Sequence, residues 1–62
     1  MLFRVCRNGL PARWVVLVED QLYGEYTDKV QALLDAMEAA RDAQAVGREA
    51  EVWDADGVRR VY

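Results

Sequence analysis

The sequence contains one cysteine, Cys6, and no histidine, so its 62 residues must fold without a crosslink. A disulfide needs two cysteines, and a structural zinc site draws its ligands mainly from Cys and His. A domain of this size buries only about 60% of the surface that its unfolded chain exposes. We therefore expect a single domain, residues 1–62, that is held by an apolar core and by self-association, with no metal and no cofactor.

Five short segments have the residue pattern of β-strands. Three of them, residues 2–7, 13–19 and 22–26, precede a helical segment, and two, residues 50–54 and 58–62, follow it. Turn residues separate them, including Asn8-Gly9 and Asp20-Gln21. The order β-β-β-α-β-β predicts an α+β fold, in which a small antiparallel sheet of four to five strands packs on one amphipathic helix.

The helix is predicted over residues 28–46. Asp28 is the expected N-cap, Gln31 completes a capping box, and Gly47 ends the helix. Six alanines between residues 32 and 45 favour the helix and allow a close approach to the sheet. Residues at helical spacing predict the stripe that is buried in the core, which comprises Val30, Leu33, Leu34, Met37 and Ala40.

The run Asp54-Ala55-Asp56-Gly57 predicts the turn of a C-terminal hairpin. Asp in the first position and Gly in the fourth are typical of a type I turn followed by a left-handed glycine, which makes a three-residue loop with a bulge. In that register Trp53 lies opposite Arg59. Hydrogen bonds to the local backbone then explain both aspartates, and they are favoured over acid–base or cation-binding roles.

Three motifs occur together from residue 13 onward. They are the strand Trp14-Val15-Val16, the pair Tyr26-Thr27 before an alanine-rich helix (Ala32, Ala36, Ala39, Ala40), and the run Val52-Trp53-Asp54-Ala55-Asp56-Gly57-Val58. In these motifs the chain resembles the small bacterial proteins grouped as domain-of-unknown-function family 2188. The resemblance implies the fold predicted above, and it implies no activity and no catalytic residues.

The residue types that most enzymes use are missing. The chain contains no serine, and Thr27 is its only threonine, so that with histidine also absent the usual nucleophile–base pairs cannot be built. Its four glycines are scattered singly and form no phosphate-binding loop. Cys6 is predicted to be structural, and a reactive thiol near Arg4 and Arg7 is the alternative. We predict that the protein is not an enzyme.

The second strand is apolar at the centre of both its faces. One face comprises Trp14, Val16 and Val18, and the other comprises Arg13, Val15, Leu17 and Glu19. A single helix covers one face of a sheet, so the other face requires a different explanation. Either long arginine side chains from neighbouring strands lie over it, or it forms an interface.

Two functions fit this pattern. The favoured one is a protein-interaction module that binds itself as a homodimer, or binds another protein, through the second sheet face or an edge strand. The alternative is a nucleic-acid-binding domain with an arginine and aromatic sheet face, which the net charge of −3 disfavours. The candidate interaction surface comprises Arg4, Arg7, Arg13, Trp14, Val16, Val18, Trp53 and Arg59.

The sequence also bears on location. No apolar run approaches the roughly 18–20 residues of a membrane helix. The first residues lack the long apolar stretch and small-residue cleavage site of a signal peptide. We expect a soluble, cytoplasmic protein that has no membrane partner.

Overall fold

The structure, a computed structural model that describes all 62 residues, contains five strands and one helix. In chain order the elements are β1 (Leu2–Asn8), β2 (Arg13–Val18), β3 (Gln21–Tyr26), α1 (Lys29–Ala45), β4 (Glu51–Asp54) and β5 (Arg59–Arg60). The α+β class and the order β-β-β-α-β-β are therefore confirmed. The helix is neither long enough nor apolar enough to cross a membrane.

All five strands form one sheet in the order β3-β2-β1-β4-β5. The pairs β1–β2, β2–β3 and β4–β5 are antiparallel, as predicted, but β4 pairs with β1 in parallel. The parallel pair forms because α1 carries the chain back along the sheet before β4 begins, which is the usual connection between parallel strands. β1 is consequently the central strand, and two strands lie on each side of it.

The turn between β2 and β3 begins one residue earlier than predicted. Val18 pairs with Gln21, so the turn residues are Glu19 and Asp20, whose φ angles are 50° and 68°. Positive φ at both central positions defines a type I′ turn, whose twist matches that of the flanking strands. The prediction of Asp20-Gln21 as the turn is wrong, because the tight hairpin takes Glu19 out of the strand.

Both ends of α1 are capped by the residues that the sequence indicates. The side chain of Asp28 accepts a hydrogen bond from the Val30 backbone N–H at 3.2 Å. At the other end Gly47 has a φ of 85°, and the backbone N–H groups of Gly47 and Arg48 donate back into the last turn. The capping box does not form, because the Gln31 side chain donates to Asp35 instead.

Small residues of α1 form its buried face. Ala32, Ala36 and Ala40 are fully buried and pack against the larger sheet residues Phe3, Val5, Val16 and Val52. The predicted stripe is therefore partly wrong: Leu33 and Met37 pack beside the core, but Val30 and Leu34 are 60% and 52% exposed. Leu34 is two residues from both Ala32 and Ala36. At 3.6 residues per turn, two residues span about 200°, so Leu34 lies on the opposite side of the helix from these alanines.

The terminal hairpin is shifted by one residue from the predicted register. Trp53 pairs with Arg60 rather than Arg59, and residues 55–58 form a four-residue loop. The left-handed position belongs to Val58, with a φ of 51°, and not to Gly57. One carboxylate oxygen of Asp54 accepts hydrogen bonds from the backbone N–H groups of Asp56 and Gly57, which fixes this wider turn.

The edge strand β3 is interrupted by a bulge. Val16 pairs with Gly24 and Leu17 pairs with Leu22, so Tyr23 is an extra residue without a partner in β2. The Tyr23 ring meets the buried Phe3 ring edge-on, with 6.1 Å between ring centres. The bulge therefore turns one aromatic residue towards the core and leaves Leu22 on the opposite side of the sheet.

Candidate interaction surface

No helix or strand packs over the side of the sheet that faces away from α1, and we call this side the open face. Alternation along the strands assigns its residues. The central strand and β2 contribute Leu2, Arg4, Cys6, Arg13, Val15 and Leu17. The remaining strands contribute Leu22, Glu25, Glu51, Trp53 and Arg60.

Apolar side chains lie in one row across the open face, on either side of Arg4 of the central strand. Leu17 pairs with Leu22, which is 63% exposed, and on the other side of β1 the Trp53 side chain is half-buried. A shallow depression of about 340 Å³ lies there, lined by Leu2, Arg4, Glu51, Trp53, Ala55 and Val58. The solvent side of an antiparallel sheet is ordinarily polar, so this row is apolar surface that is available for contact.

The Trp53 side chain is held in a fixed orientation. Its indole N–H donates to a carboxylate oxygen of Glu51 at 2.8 Å. The other Glu51 oxygen lies 3.7 Å from a guanidinium nitrogen of Arg60, which is the cross-strand partner of Trp53. Glu51 therefore orients both the largest apolar side chain of the open face and a neighbouring cation.

The cations of the open face are all paired with carboxylates. Arg4 donates to Asp20 in the β2–β3 turn. Arg13 lies 3.2 Å from Glu25 on β3, and Arg60 forms the contact with Glu51 described above. Three cations thus meet three anions, so this side of the molecule is locally neutral although the chain has a net charge of −3.

Part of the open face is shielded, although the arginine beside Val15 is Arg13 of β2 itself and not, as the arginine-cover interpretation has it, an arginine of a neighbouring strand. Val15 is 9% exposed although it lies on the side away from the helix. It lies between Cys6 and Glu25 on the adjacent strands, beside the ion pair that Arg13 makes with Glu25. The same shielding does not reach Leu22, which remains largely exposed.

The structure divides the predicted surface between the two sides of the sheet. Arg4, Arg13 and Trp53 lie on the open face, as an interaction surface requires. The other five predicted residues lie on the helix side, as their contacts with the core or their cross-strand partners show. They are Arg7, Trp14, Val16, Val18 and Arg59.

The predicted surface therefore needs correction. Val16 is fully buried, and Trp14 and Val18 pack against the core, because α1 covers their face of β2. The face that stays uncovered is the one that carries Val15 and Leu17.

Several residues of the open face were not predicted as part of a surface. Leu17 belongs to the second of the two apolar faces that the sequence shows for β2. Which of these faces stays uncovered depends on where the helix lies. Leu22 joins the open face through its pairing with Leu17, and Arg60 joins it through the one-residue shift of the terminal hairpin. Leu2 and Cys6 follow from the alternation of β1, whose residues Phe3 and Val5 face the helix.

A second cluster of charged residues lies on the helix side, where α1 begins. Lys29 lies 2.8 Å from the buried carboxylate of Asp54, 3.8 Å from that of Asp56, and 5.2 Å from the centre of the Trp14 ring. The hydrogen bond from Lys29 lowers the pKa of Asp54, and the backbone N–H groups of Gly57 and Asp56 act in the same direction. These contacts join α1 to the terminal hairpin, and both carboxylate oxygens of Asp54 take part in them.

One other polar group, the hydroxyl of Tyr26, has a shifted pKa. Burial raises the pKa of Tyr26, and the neighbouring carboxylate of Asp35 raises it further. No group of three or more His, Cys, Asp or Glu side chains is placed to hold a metal ion. The open face is consequently the strongest candidate for a functional surface.

No protein-family model, no curated protein and no solved structure matches this chain. The resemblance to domain-of-unknown-function family 2188 therefore stays a hypothesis.

Proposed function

We propose that this chain is a small, non-catalytic protein-interaction module that binds a protein partner through the open face. The observation that carries the proposal is the pair of uncovered apolar sites on either side of Arg4, Leu22 with Leu17 on one side and Trp53 on the other. Trp and Arg are the residues that most often dominate the binding energy of protein interfaces. Here Trp53 is held in place by Glu51 and lies between Arg4 and Arg60 on the adjacent strands.

The charges of the open face argue against nucleic acid as the partner. Proteins that bind nucleic acid draw most of their affinity from Lys and Arg that neutralise phosphates. Arg4, Arg13 and Arg60 are each already paired with a carboxylate of the same chain. Glu51 also lies beside Trp53, the ring on which a base would stack, and its charge repels phosphate.

The side chains themselves support the non-catalytic part of the proposal. The chain has no Ser and no His, and its best-defined carboxylate, Asp54, is occupied by Lys29 and the backbone. Cys6 remains half-buried on the open face, where its role is contact rather than catalysis. The cytoplasmic location predicted from the sequence is part of this proposal.

A comparison of charge-bearing variants tests whether the open face binds protein. Wild-type, Leu17→Lys and Leu34→Lys chains are immobilised, and proteins that they retain from a lysate of the source organism are identified by mass spectrometry. Leu17 lies on the open face, and Leu34 is exposed on the opposite side of the molecule. We expect the wild type and Leu34→Lys to retain the same protein and Leu17→Lys to lose it, because an unpaired charge in an apolar contact is costly.

The wild type and a further variant, Arg13→Ala, separate the two kinds of partner. Binding to mixed single- and double-stranded oligonucleotides is measured by fluorescence anisotropy at several salt concentrations. Micromolar affinity that falls steeply with added salt, and that weakens in Arg13→Ala, would replace the protein proposal with the nucleic-acid one. Retention of the same proteins by all three immobilised chains would show that the open face is not the binding surface.

A further inference from the structure

We infer that the outer edge of β3 binds an extended segment of a partner protein in which basic and apolar residues alternate. The segment joins the five-stranded sheet as a further strand. β3 lies at one end of the strand order, so no strand pairs with its outer side. The opposite end is β5, which has two residues, whereas β3 has six. β3 is therefore the edge that is long enough to accept a strand, and this edge is a surface distinct from the open face proposed above.

Two residues of β3 direct their backbone groups outward. Val18 and Gln21 flank the two-residue turn as a hydrogen-bonded pair, so the next residue, Leu22, points its N–H and C=O away from β2. Beyond the bulge the same alternation turns Glu25 outward. Four of the six residues of β3 are exposed, and none is a proline or a lysine, which commonly block an edge. Because the bulge interrupts regular pairing, we expect a short bound segment of about four to six residues.

Acidic side chains of α1 lie beside this edge, on the helix side of the sheet. Asp35, Glu38 and Asp42 follow one another at helical spacing, and with Tyr23 and Ala39 they line a cleft of about 190 Å³ between α1 and β3, which we call the acidic cleft. None of the three carboxylates forms an ion pair with a cation of the chain. Their negative charge is therefore available to a cationic side chain from outside.

The two sides of a strand that pairs with β3 meet different surroundings. Successive side chains of that strand point to opposite sides of the sheet. On the helix side they lie beside the Tyr23 ring and the acidic cleft, where Lys or Arg gains a carboxylate and a cation–π contact. On the other side they lie beside Leu22, which is 63% exposed, and an apolar side chain packs there. The edge therefore selects a segment in which basic and apolar residues alternate.

A second copy of the chain does not meet these requirements. Pairing of β3 with its own copy about a two-fold axis continues the sheet and places both helices on the same side of it. The two acidic clefts then face one groove, and β3 contains no basic residue, so neither copy supplies a cation to the other. Charge complementarity therefore favours a basic segment of another protein over the chain itself.

Peptides with blocked ends test the edge of the full chain. The probe is Arg-Val-Arg-Val-Arg-Val, and the controls are Arg-Arg-Arg-Val-Val-Val, which has the same composition, and Glu-Val-Glu-Val-Glu-Val. Nuclear magnetic resonance of the isotope-labelled chain measures affinity and amide hydrogen exchange. We expect the probe alone to bind, with a dissociation constant on the order of 0.1–1 mM because the interface is small. Exchange should slow at Leu22 and Glu25, whose N–H groups point outward, and stay unchanged in β5.

Two pairs of matched variants test the geometry. Leu22→Lys places a cation on the edge and is expected to weaken probe binding about tenfold, whereas Leu34→Lys, at a similarly exposed helix position, is expected to leave it unchanged. Glu38→Gln removes one charge of the acidic cleft and is expected to weaken binding about threefold. Glu49→Gln removes an exposed carboxylate outside the cleft and is expected to have no effect.

Three results would overturn the inference. The first is absence of probe binding at millimolar peptide. The second is equal binding of the composition-matched control, because the attraction would then be one of charge alone. The third is a sedimentation mass of twice 7.1 kDa that Leu22→Lys returns to 7.1 kDa, because a second copy would then occupy the edge. The open-face proposal is judged separately, by the capture that Leu17→Lys is expected to abolish.

Discussion

The ammonium group of Lys29, the first residue of α1, lies 2.8 Å from a carboxylate oxygen of Asp54, the last residue of β4. The other Asp54 oxygen accepts two backbone hydrogen bonds from the turn that follows. One buried carboxylate therefore joins the start of the helix to the terminal hairpin. A hydrogen bond to a charged group contributes more to stability than a neutral one, and its loss leaves the partners unpaired.

The first prediction concerns the Asp54 side chain. Asp54→Ala removes the acceptor of Lys29 and of two backbone N–H groups, and we expect it to lower the free energy of unfolding by about 1.5–3 kcal/mol. Urea denaturation measures the change. Asp42→Ala, at an exposed helix position, is the matched control and should stay within about 0.5 kcal/mol of the wild type. Equal effects of the two substitutions would contradict this account.

The second prediction is the pH dependence that the same contact produces. Because Lys29 lowers the pKa of folded Asp54 below its ordinary value of 3.8, the ionised form stabilises the fold above that pH. This contribution is lost as the pH falls through the lowered pKa. In Lys29→Met the pKa of Asp54 should move upward, so acid unfolding should begin at a higher pH. Circular dichroism between about pH 2 and pH 5 measures both midpoints, and an unchanged midpoint would contradict the prediction.

The third prediction contrasts two helix positions. Ala36 is fully buried against the sheet, and Leu34 is 52% exposed. Ala36→Leu should therefore lower the free energy of unfolding by about 1–3 kcal/mol through overpacking. Leu34→Ala should change it by less than about 0.5 kcal/mol, since exposed positions tolerate truncation. A larger loss in Leu34→Ala than in Ala36→Leu would mean that the helix is rotated from the position described.

The fourth prediction concerns the left-handed residue of the terminal hairpin. Val58 has a φ of 51° and is 77% exposed, and a β-branched residue is strained in that region. Val58→Asn should raise the free energy of unfolding by about 1 kcal/mol, because Asn adopts a positive φ more readily. Val46→Asn is the control, since Val46 is 75% exposed but has a φ of −102°. Val46→Asn should not raise the free energy of unfolding. Urea denaturation at low micromolar protein concentration measures both variants.

The fifth prediction concerns the approach of Tyr26 to Gly24 in the edge strand. A Cβ atom at Gly24 would lie 2.6 Å from the Tyr26 hydroxyl and 3.0 Å from its ring. Gly24→Ala should therefore lower the free energy of unfolding by about 1–3 kcal/mol. The loss should shrink in a Tyr26→Phe background, which removes the closest atom, and a double-mutant cycle measures the difference. Equal losses in both backgrounds would show that the contact is not the cause.

Local chemistry determined much of this fold in advance. Asp28 and Gly47 mark the ends of α1 because a side-chain acceptor and a left-handed glycine satisfy the groups that a helix end leaves unpaired. The strand segments and the order of elements follow from patterns that neighbouring residues carry. The alanines of α1 indicated a close approach to the sheet, and Ala32, Ala36 and Ala40 make that approach.

Only the tertiary structure decided which face of β2 is uncovered. Both faces are apolar at their centres, so the alternation along the strand could not distinguish Val16, which is buried, from Leu17, which is not. The position of α1 decides which face of β2 is covered. That position depends on the parallel pairing of β4 with β1, which joins residues about fifty positions apart. Such a contact is not determined by local preference, because it forms only when the helix and both ends of the chain pack together.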